Sequence, residues 1–163
     1  MSIFPDGLIA ETEALLDAYR GAGLKIATAE SCTGGLLAAC LTEIAGSSDV
    51  VERGFVTYSN AAKIEDLDVS PELLHAHGAV SAEVAEAMAA GALARSRAEV
   101  AVSLTGIAGP GGASADKPAG LVYLGGARRG RAPRHERHLL PGDRGAVRLA
   151  AVVAALDLLR RLM

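Results

Sequence analysis

Ser31 is the residue of this sequence whose type and position most favour covalent chemistry. It lies within the segment Glu30-Ser31-Cys32-Thr33-Gly34-Gly35, between two apolar runs. A serine at a sharp turn from a strand into a helix can act as a nucleophile, and the N–H groups of Thr33, Gly34 and Gly35 would then stabilise an oxyanion. A serine at such a position also serves as an ordinary helix N-cap. Position alone therefore leaves both roles open.

A serine nucleophile needs a base, and Lys63 is the candidate. Burial would disfavour the charged amine of Lys63 and allow it to take the Ser31 proton. Tyr58 and Asn60 lie shortly before Lys63 and are expected to orient that amine. Cys32 is a rival nucleophile, although no histidine lies in a neighbouring motif to activate it, and a small cysteine at a helix start usually packs. These residues predict acyl transfer, with Cys32 as an open alternative.

A second polar segment is rich in glycine and runs Thr105-Gly106-Ile107-Ala108-Gly109-Pro110-Gly111-Gly112. Loops of this composition let backbone N–H groups converge on a phosphate or a carboxylate. No GxGxxG pattern fits the loop, and Ala113 stands where a phosphate-binding loop requires lysine. The segment is therefore either an anion-binding loop or a long turn in which glycine permits positive φ angles.

Composition restricts the class of protein. The chain has 163 residues, a net charge of −3, 33 Ala, 19 Gly, no Trp and only 3% aromatic residues. One domain spanning 1–163 can bury a sizeable core, and the longest apolar stretch is far shorter than the roughly 20 residues that a bilayer requires. No secretory signal is visible, so we expect a cytoplasmic protein. Two cysteines without a CxxC pattern and four scattered histidines predict neither a disulfide nor a metal site, and no cofactor is expected.

Five arginines gather between Arg128 and Arg137 in this otherwise acidic chain. No aromatic residues alternate with them to stack on bases, so direct nucleic-acid binding is not expected. We interpret the cluster as a solvated strand edge and turn, where cationic side chains also discourage pairing with another sheet.

The elements that must position these residues alternate between strands and helices, which predicts an α/β fold. In such sheets ligands bind beyond the carboxyl ends of the strands, and both polar segments follow predicted strands. The last two strands are close enough to form a hairpin, so the sheet is expected to be mixed. Ser81 and Asp143 are predicted helix N-caps. The predicted strands are 24–28, 50–58, 100–104, 120–125 and 134–140, and the predicted helices are 8–19, 36–41, 63–67, 71–75, 82–95 and 143–159.

Five motifs occur in order over nearly the whole chain, roughly from Leu8 to Leu159. They are Ala29-Glu30-Ser31-Cys32-Thr33-Gly34-Gly35, Tyr58-Ser59-Asn60-x-x-Lys63, His77-Gly78-Ala79-Val80-Ser81, Leu104-Thr105-Gly106-Ile107-Ala108-Gly109-Pro110-Gly111-Gly112 and Gly142-Asp143-Arg144. Together they resemble the CinA C-terminal domain family, and the set is far more specific than any one motif.

The resemblance implies a three-layer α/β/α sandwich with a mixed, mostly parallel sheet of about five strands, usually as a homodimer. It also implies a nicotinamide-nucleotide amidase, which hydrolyses nicotinamide mononucleotide to nicotinate mononucleotide and ammonia in pyridine-nucleotide recycling. The alternative is a non-catalytic mononucleotide-binding module, or a regulatory module associated with competence or DNA damage.

Carried onto this sequence, the family's serine falls on Ser31 and its lysine on Lys63, with Tyr58 placed to hydrogen-bond one of them. The substrate would be held by main-chain and polar groups. These groups belong to Thr33, Gly34, Gly35, Asn60, Thr105, Gly106, Gly109, Gly111, Gly112 and Arg144, with Arg144 reaching the 5′-phosphate.

Overall fold

The computed structural model describes residues 1–163 as five strands and six α-helices, with one short 3-10 turn at Ser47–Asp49. The strands are β1 (Ile26–Glu30), β2 (Val51–Val56), β3 (Val100–Gly106), β4 (Leu121–Arg128) and β5 (Arg134–Leu139). The helices are α1 (Asp6–Ala22), α2 (Leu36–Thr42), α3 (Asn60–Leu67), α4 (Pro71–His77), α5 (Ala82–Ala94) and α6 (Arg144–Leu162).

The strands form one sheet in the order β2-β1-β3-β4-β5. β1 is parallel to both β2 and β3, whereas β4 is antiparallel to its neighbours β3 and β5. Four strands therefore run in one direction and only β4 runs in the other. The mixed, mostly parallel sheet and the final hairpin are confirmed.

Helices cover both faces of the sheet and give the three layers. The larger apolar cluster joins α1, α2 and α6 to side chains such as Ile26 and Val102, and the smaller one joins α3, α4 and α5 to Ala27 and Ala101. Adjacent strand residues thus enter opposite clusters, as expected for central strands buried on both faces. None of the six α-helices combines the length and the apolar character that a membrane span requires.

The N-cap residues of the helices show whether Ser31 has the alternative role of a helix cap. The hydroxyl of Ser81 accepts the N–H of Val84, and the Asp143 carboxylate accepts the N–H of Ala146, which confirms both predicted caps. Ser31 caps no helix, because α2 begins only at Leu36 and its N-cap residue is Gly35, with φ at 99°. The N-cap interpretation of Ser31 is therefore wrong.

The difference from the predicted elements that bears most directly on Ser31 lies in β1, although α3 begins three residues earlier and β4 ends three residues later than predicted. β1 was predicted at 24–28 from its apolar residues, but it extends to Glu30. A buried glutamate can end this strand because its carboxylate accepts backbone N–H groups of α2. As a result Ser31 follows the last paired residue of the strand directly.

Candidate active site

The polar segments that the sequence singles out meet at the carboxyl ends of three neighbouring strands. Ser31 follows β1, Tyr58 follows β2, and Gly106 ends β3. Backbone bonds continue the sheet at this edge: the N–H of Thr57 donates to the Glu30 carbonyl at 2.8 Å. A cavity of about 190 Å³ opens here. It is lined by Ser31, Cys32, Tyr58, Asn60, Lys63, Ala79, Val80, Thr105, Gly106, Ala108 and Arg144.

Lys63 contacts Ser31 at the base of this cavity, with 3.0 Å between Nζ and Oγ. The lysine sits in the first turns of α3, whose start is fixed because the Ser59 hydroxyl accepts the Ala62 N–H. Only 1% of Lys63 is exposed, and its other partners are the carbonyls of Thr57 at 2.8 Å and Tyr58 at 3.5 Å. No carboxylate pairs with it, and burial lowers its pKa.

Lys63 Nζ is the donor in all three contacts, and the same geometry allows the amine to act as a base once it is neutral. An uncharged lysine has two N–H donors and one lone pair, so it can donate to the Thr57 and Tyr58 carbonyls and accept the hydroxyl proton of Ser31. Desolvation disfavours the ammonium form and is the larger influence on the Lys63 pKa, although the neighbouring Cys32 thiol opposes it in part. The arrangement therefore places a base within hydrogen-bond reach of a nucleophile.

Cys32 lines the same cavity but its environment suppresses its reactivity. Only 7% of the residue is exposed, and burial raises the pKa of its thiol to about 11, with the nearby Glu30 charge adding to the effect. The thiolate is the nucleophilic form of cysteine, and very little of it exists at neutral pH at this pKa. The structure therefore favours Ser31 over Cys32.

The backbone N–H groups of residues 31–35 have acceptors that the sequence does not predict. The N–H of Gly34 donates to the Ser31 carbonyl at 3.0 Å, and that of Gly35 donates to Glu30 Oε2 at 3.1 Å. Both groups already donate within the protein, so of the three N–H groups predicted to hold an oxyanion only that of Thr33 has no other acceptor. The N–H groups of Cys32 and Thr33 donate to no other residue.

Tyr58 and Asn60 lie at the cavity but do not orient Lys63 with their side chains. The Tyr58 hydroxyl accepts a bond from Arg144 Nη2 at 3.0 Å, and the tyrosine is 62% exposed. Tyr58 does contact Lys63 as expected, but through its backbone carbonyl at 3.5 Å from Nζ and not through its hydroxyl. The Asn60 side chain makes no bond to Lys63 and remains open to a ligand.

The glycine-rich segment divides between two adjoining cavities and the surface. Gly106 lines the cavity with Ser31, whereas Gly109 lines a neighbouring cavity of about 410 Å³ that shares Ala108 and Arg144 with the first. Gly111 and Gly112 are exposed and line neither cavity. The sequence predicts one substrate-binding group for all four glycines, because the point at which the loop turns away from the site is not visible in its residues.

Thr105 contributes to the wall of the site. Its hydroxyl donates to the Ala79 carbonyl at 2.7 Å, which holds the segment before α5 against β3. Ala79 and Val80 line the cavity, yet sequence reasoning assigned them no role, although they lie inside one of the five motifs. Small apolar side chains have no chemistry that would single them out.

Two charged residues near Ser31 were also missed: Glu30, which no part of the sequence reasoning assigned to the site, and Arg148 of α6. Arg148 Nη2 donates to the Thr33 carbonyl at 2.9 Å. A signal existed for Arg148, because it lies one turn after Arg144 among the apolar residues of a buried helix face. No cluster of three or more His, Cys, Asp or Glu side chains with the proximity to hold a metal ion is present.

Sequence relatives of this chain fall into two groups. It is 53% identical over 152 residues to a CinA-like protein of Chlorobium phaeovibrioides, covering 90% of this chain but 36% of that protein. It therefore spans about a third of the length of such relatives. It is also 51% identical over 140 residues to the nicotinamide-nucleotide amidohydrolase PncC of Enterobacter agglomerans, covering 86% of this chain and 85% of that protein.

Solved structures agree with the fold. The competence/damage-inducible protein CihA of Agrobacterium tumefaciens superposes with a TM-score of 0.96 at 50% identity, over 99% of each chain. A CinA superfamily protein of Escherichia coli gives a TM-score of 0.91 at 35% identity, over 99% of this chain and 95% of that one. The sequence profile of the CinA C-terminal domain matches residues 9–163. The chain belongs to the CinA C-terminal domain family.

Proposed function

We propose that this chain is an amidohydrolase that converts nicotinamide mononucleotide and water to nicotinate mononucleotide and ammonia. The observation that carries the proposal is the 3.0 Å contact between Ser31 Oγ and the Nζ of a lysine that is 1% exposed and has no carboxylate partner. A binding module has no need for a buried lysine against a serine. The name of the Enterobacter agglomerans relative supports the choice of substrate.

Acylation begins when neutral Lys63 takes the Ser31 proton while Oγ bonds to the carboxamide carbon. The N–H groups of Cys32 and Thr33, which no other residue uses, are the donors that we assign to the resulting oxyanion. The C–N bond then breaks, and the Lys63 ammonium returns its proton to the departing nitrogen, so that ammonia leaves. The product of this half-reaction is an ester that joins Ser31 Oγ to the former carboxamide carbon of the mononucleotide.

Deacylation repeats the same proton transfers with water. Lys63, again neutral, takes a proton from a water molecule that attacks the ester carbon. The Ser31–acyl bond breaks, the proton on Lys63 returns to Ser31 Oγ, and nicotinate mononucleotide is released. One nucleophile and one base thus serve both half-reactions.

The two adjoining cavities suit the two ends of the substrate. The carboxamide belongs in the cavity with Ser31, and the 5′-phosphate belongs near Arg144, which borders both cavities. Arg144 now donates to the Gly109 carbonyl and the Tyr58 hydroxyl, two neutral acceptors that a phosphate would outcompete. Binding at this remote group positions the amide and lowers the barrier to attack.

Ammonia release tests the proposal directly. With nicotinamide mononucleotide as substrate, Ser31→Ala and Lys63→Met should each lower kcat about 10⁴-fold, as expected when a nucleophile or its base is removed. Cys32→Ala is the matched control and should keep activity within about threefold, since its thiol takes no part. Free nicotinamide should turn over poorly because it lacks the phosphate.

Each part of the proposal would be contradicted by a different experimental result. Equal turnover of nicotinamide and its mononucleotide would overturn the phosphate assignment, and loss of activity in Cys32→Ala with retention in Ser31→Ala would make Cys32 the nucleophile. Nucleotide binding without ammonia release in the unmodified protein would favour a binding module. Homodimer formation stays a prediction, which light scattering coupled to size-exclusion chromatography tests.

A further inference from the structure

Two charged side chains, Glu30 and Arg148, hold the backbone turn of residues 31–35 from opposite sides. Neither belongs to the reaction described above. Glu30 is fully buried and ends β1, whereas Arg148 lies on α6 and is 115 positions away from the residue that it contacts in the turn. Glu30 accepts three backbone N–H groups between Gly35 and Ala38, and Arg148 donates to the Thr33 carbonyl.

Glu30 replaces the missing side-chain cap of α2. Its Oε2 accepts the N–H groups of Gly35 at 3.1 Å and Leu37 at 3.0 Å, and its Oε1 accepts that of Ala38 at 2.8 Å. No side chain caps α2 in the usual way. A buried carboxylate is tolerated only when it is bonded in this manner, so the last residue of β1 and the first turn of α2 are joined firmly.

Arg148 adds a charged bond at the middle of the turn, where the Thr33 carbonyl also accepts the Leu36 N–H at 3.2 Å. Its Nη2 donates to the Thr33 carbonyl at 2.9 Å, while the N–H of the same peptide unit, that of Gly34, donates to the Ser31 carbonyl. The peptide between Thr33 and Gly34 is therefore held at both its oxygen and its nitrogen. The Arg148 Nε is buried and has no partner, a cost that a side chain with only a packing role has no reason to bear.

Once these bonds are made, the N–H groups of Cys32 and Thr33 are the ones in the turn that donate to no other residue. A rotation of the Thr33–Gly34 peptide would turn the adjoining Thr33 unit and displace its N–H group. Displacement by about 1 Å costs roughly a hundredfold in rate when the displaced group must meet a transition state. The two clamping side chains thus control the donors without touching a ligand.

Building on the proposed function, we propose that Glu30 and Arg148 are positioning residues that hold the turn of residues 31–35 so that Ser31 Oγ and the Cys32 and Thr33 N–H groups keep the geometry needed for acylation. They act through the backbone, and their loss affects the transition state more than the bound substrate. The effect therefore falls on kcat rather than on KM.

The experiment compares three variants with two matched controls. Arg148→Met keeps the length of the side chain but not its donors, Arg148→Lys restores one donor and the charge, and Glu30→Gln presents an amide N–H to a backbone N–H. The controls Arg129→Met and Glu99→Gln remove the same kinds of contact at the other end of the sheet, where Arg129 bonds the Ser96 carbonyl and Glu99 accepts the Lys25 N–H.

We expect kcat for ammonia release to fall about 100-fold in Arg148→Met and Glu30→Gln, with KM unchanged within about threefold, as for loss of an oxyanion donor. Arg148→Lys should recover roughly tenfold of that loss, since a single charged donor is regained. The controls should lower the denaturation midpoint without changing kcat. A kcat within twofold of the unmodified protein in Arg148→Met, or an equal loss of kcat in the controls, overturns the proposal.

A second readout does not depend on the natural substrate. p-Nitrophenyl acetate acylates Ser31, and the burst of nitrophenol measures the rate of this step. That rate should fall in parallel with kcat in the Arg148 and Glu30 variants. If the unmodified protein shows the burst but releases no ammonia from nicotinamide mononucleotide, the proposed function fails. The burst still tests whether Glu30 and Arg148 are positioning residues. Should Glu30→Gln not fold, the two Arg148 variants decide the matter by themselves.

Discussion

The two ends of the sheet use charged residues in opposite ways. At the end away from Ser31, the exposed Arg129 donates to the carbonyls of Leu93, Ser96 and Ala98 at 2.8 to 3.1 Å. These carbonyls lie at the end of α5 and in the loop after it, where helices leave acceptors unsatisfied. The cation remains in contact with water, so this end gains hydrogen bonds at little desolvation cost.

At the end with Ser31, two charged residues are buried instead, although Arg144 at the cavity mouth is exposed. Glu30 is 0% exposed and Lys63 is 1% exposed, and only Glu30 receives enough donors to offset its burial. Lys63 contacts one hydroxyl and two carbonyls without any anion. A cation at the exposed end satisfies backbone carbonyls at little cost. A buried lysine without a counter-ion lowers stability, and its lowered pKa suits a chemical role.

The pH dependence of activity is the strongest test of this contrast. Only neutral Lys63 can accept the Ser31 proton, so kcat/KM should fall about tenfold per pH unit once the pH drops below the Lys63 pKa. Burial lowers this pKa from 10.5, so the fall should begin at a lower pH than for an exposed lysine. A pH profile of ammonia release checks this, with Lys25→Met as a control that leaves the profile unchanged. A limb that begins near the ordinary lysine pKa would contradict the contrast.

Substitution of Arg144 should have the next largest effect. Arg144→Met should raise KM for nicotinamide mononucleotide about 10- to 100-fold, the worth of a charged hydrogen bond, because the phosphate loses its cation. Steady-state kinetics with the mononucleotide and with free nicotinamide measure this. The latter substrate has no phosphate and should be affected far less. An equal rise in KM for both substrates would place Arg144 in a purely structural role, like that of Arg129.

Tyr58→Phe should produce a smaller change. The substitution removes the hydroxyl that accepts a bond from Arg144 Nη2 but leaves the Tyr58 carbonyl, which approaches Lys63, in place. The donor is a charged guanidinium, but both residues are exposed and the bond is worth only about 1 kcal/mol, so we expect a change in kcat/KM of roughly fivefold, with the pH profile intact. A shift of the pH profile would show that the hydroxyl reaches the amine during turnover.

Stability should change in opposite directions at the two ends. Arg129→Met should lower the free energy of unfolding by about 1 to 2 kcal/mol, since three carbonyls lose their donor. Lys63→Met should raise it by about 1 kcal/mol at neutral pH, because an unpaired buried amine is replaced by an apolar side chain of similar length. Urea denaturation followed by circular dichroism measures both, and a loss of stability in Lys63→Met would break the comparison.

The size of the destabilising contribution of Lys63 also depends on pH. Its pKa is lower in the folded state than the ordinary 10.5, so the unfolded chain binds the proton more tightly. The contribution of Lys63 to stability therefore improves as pH rises from the folded pKa towards 10.5. Lys63→Met should abolish this rise.

Much of the fold was predictable because it follows from local patterns. Apolar runs separated by glycine and polar turns identified all five strands and six helices, and the Ser81 and Asp143 caps are properties of single positions. The end of β1 was not predictable in this way. Its last residue, Glu30, is charged, and its place in the sheet depends on donors from α2.

The sequence by itself determined the α/β architecture, the edge of the sheet where the polar segments gather, and Ser31 and Lys63 as candidate partners. Only the tertiary structure decided which atoms meet: Nζ and Oγ from residues 32 positions apart, and Arg144 and the Tyr58 hydroxyl from residues 86 positions apart. Backbone pattern reflects local propensity and burial, which act over a few residues. Hydrogen bonds between distant side chains depend on packing distances of a few tenths of an ångström, which no local pattern encodes.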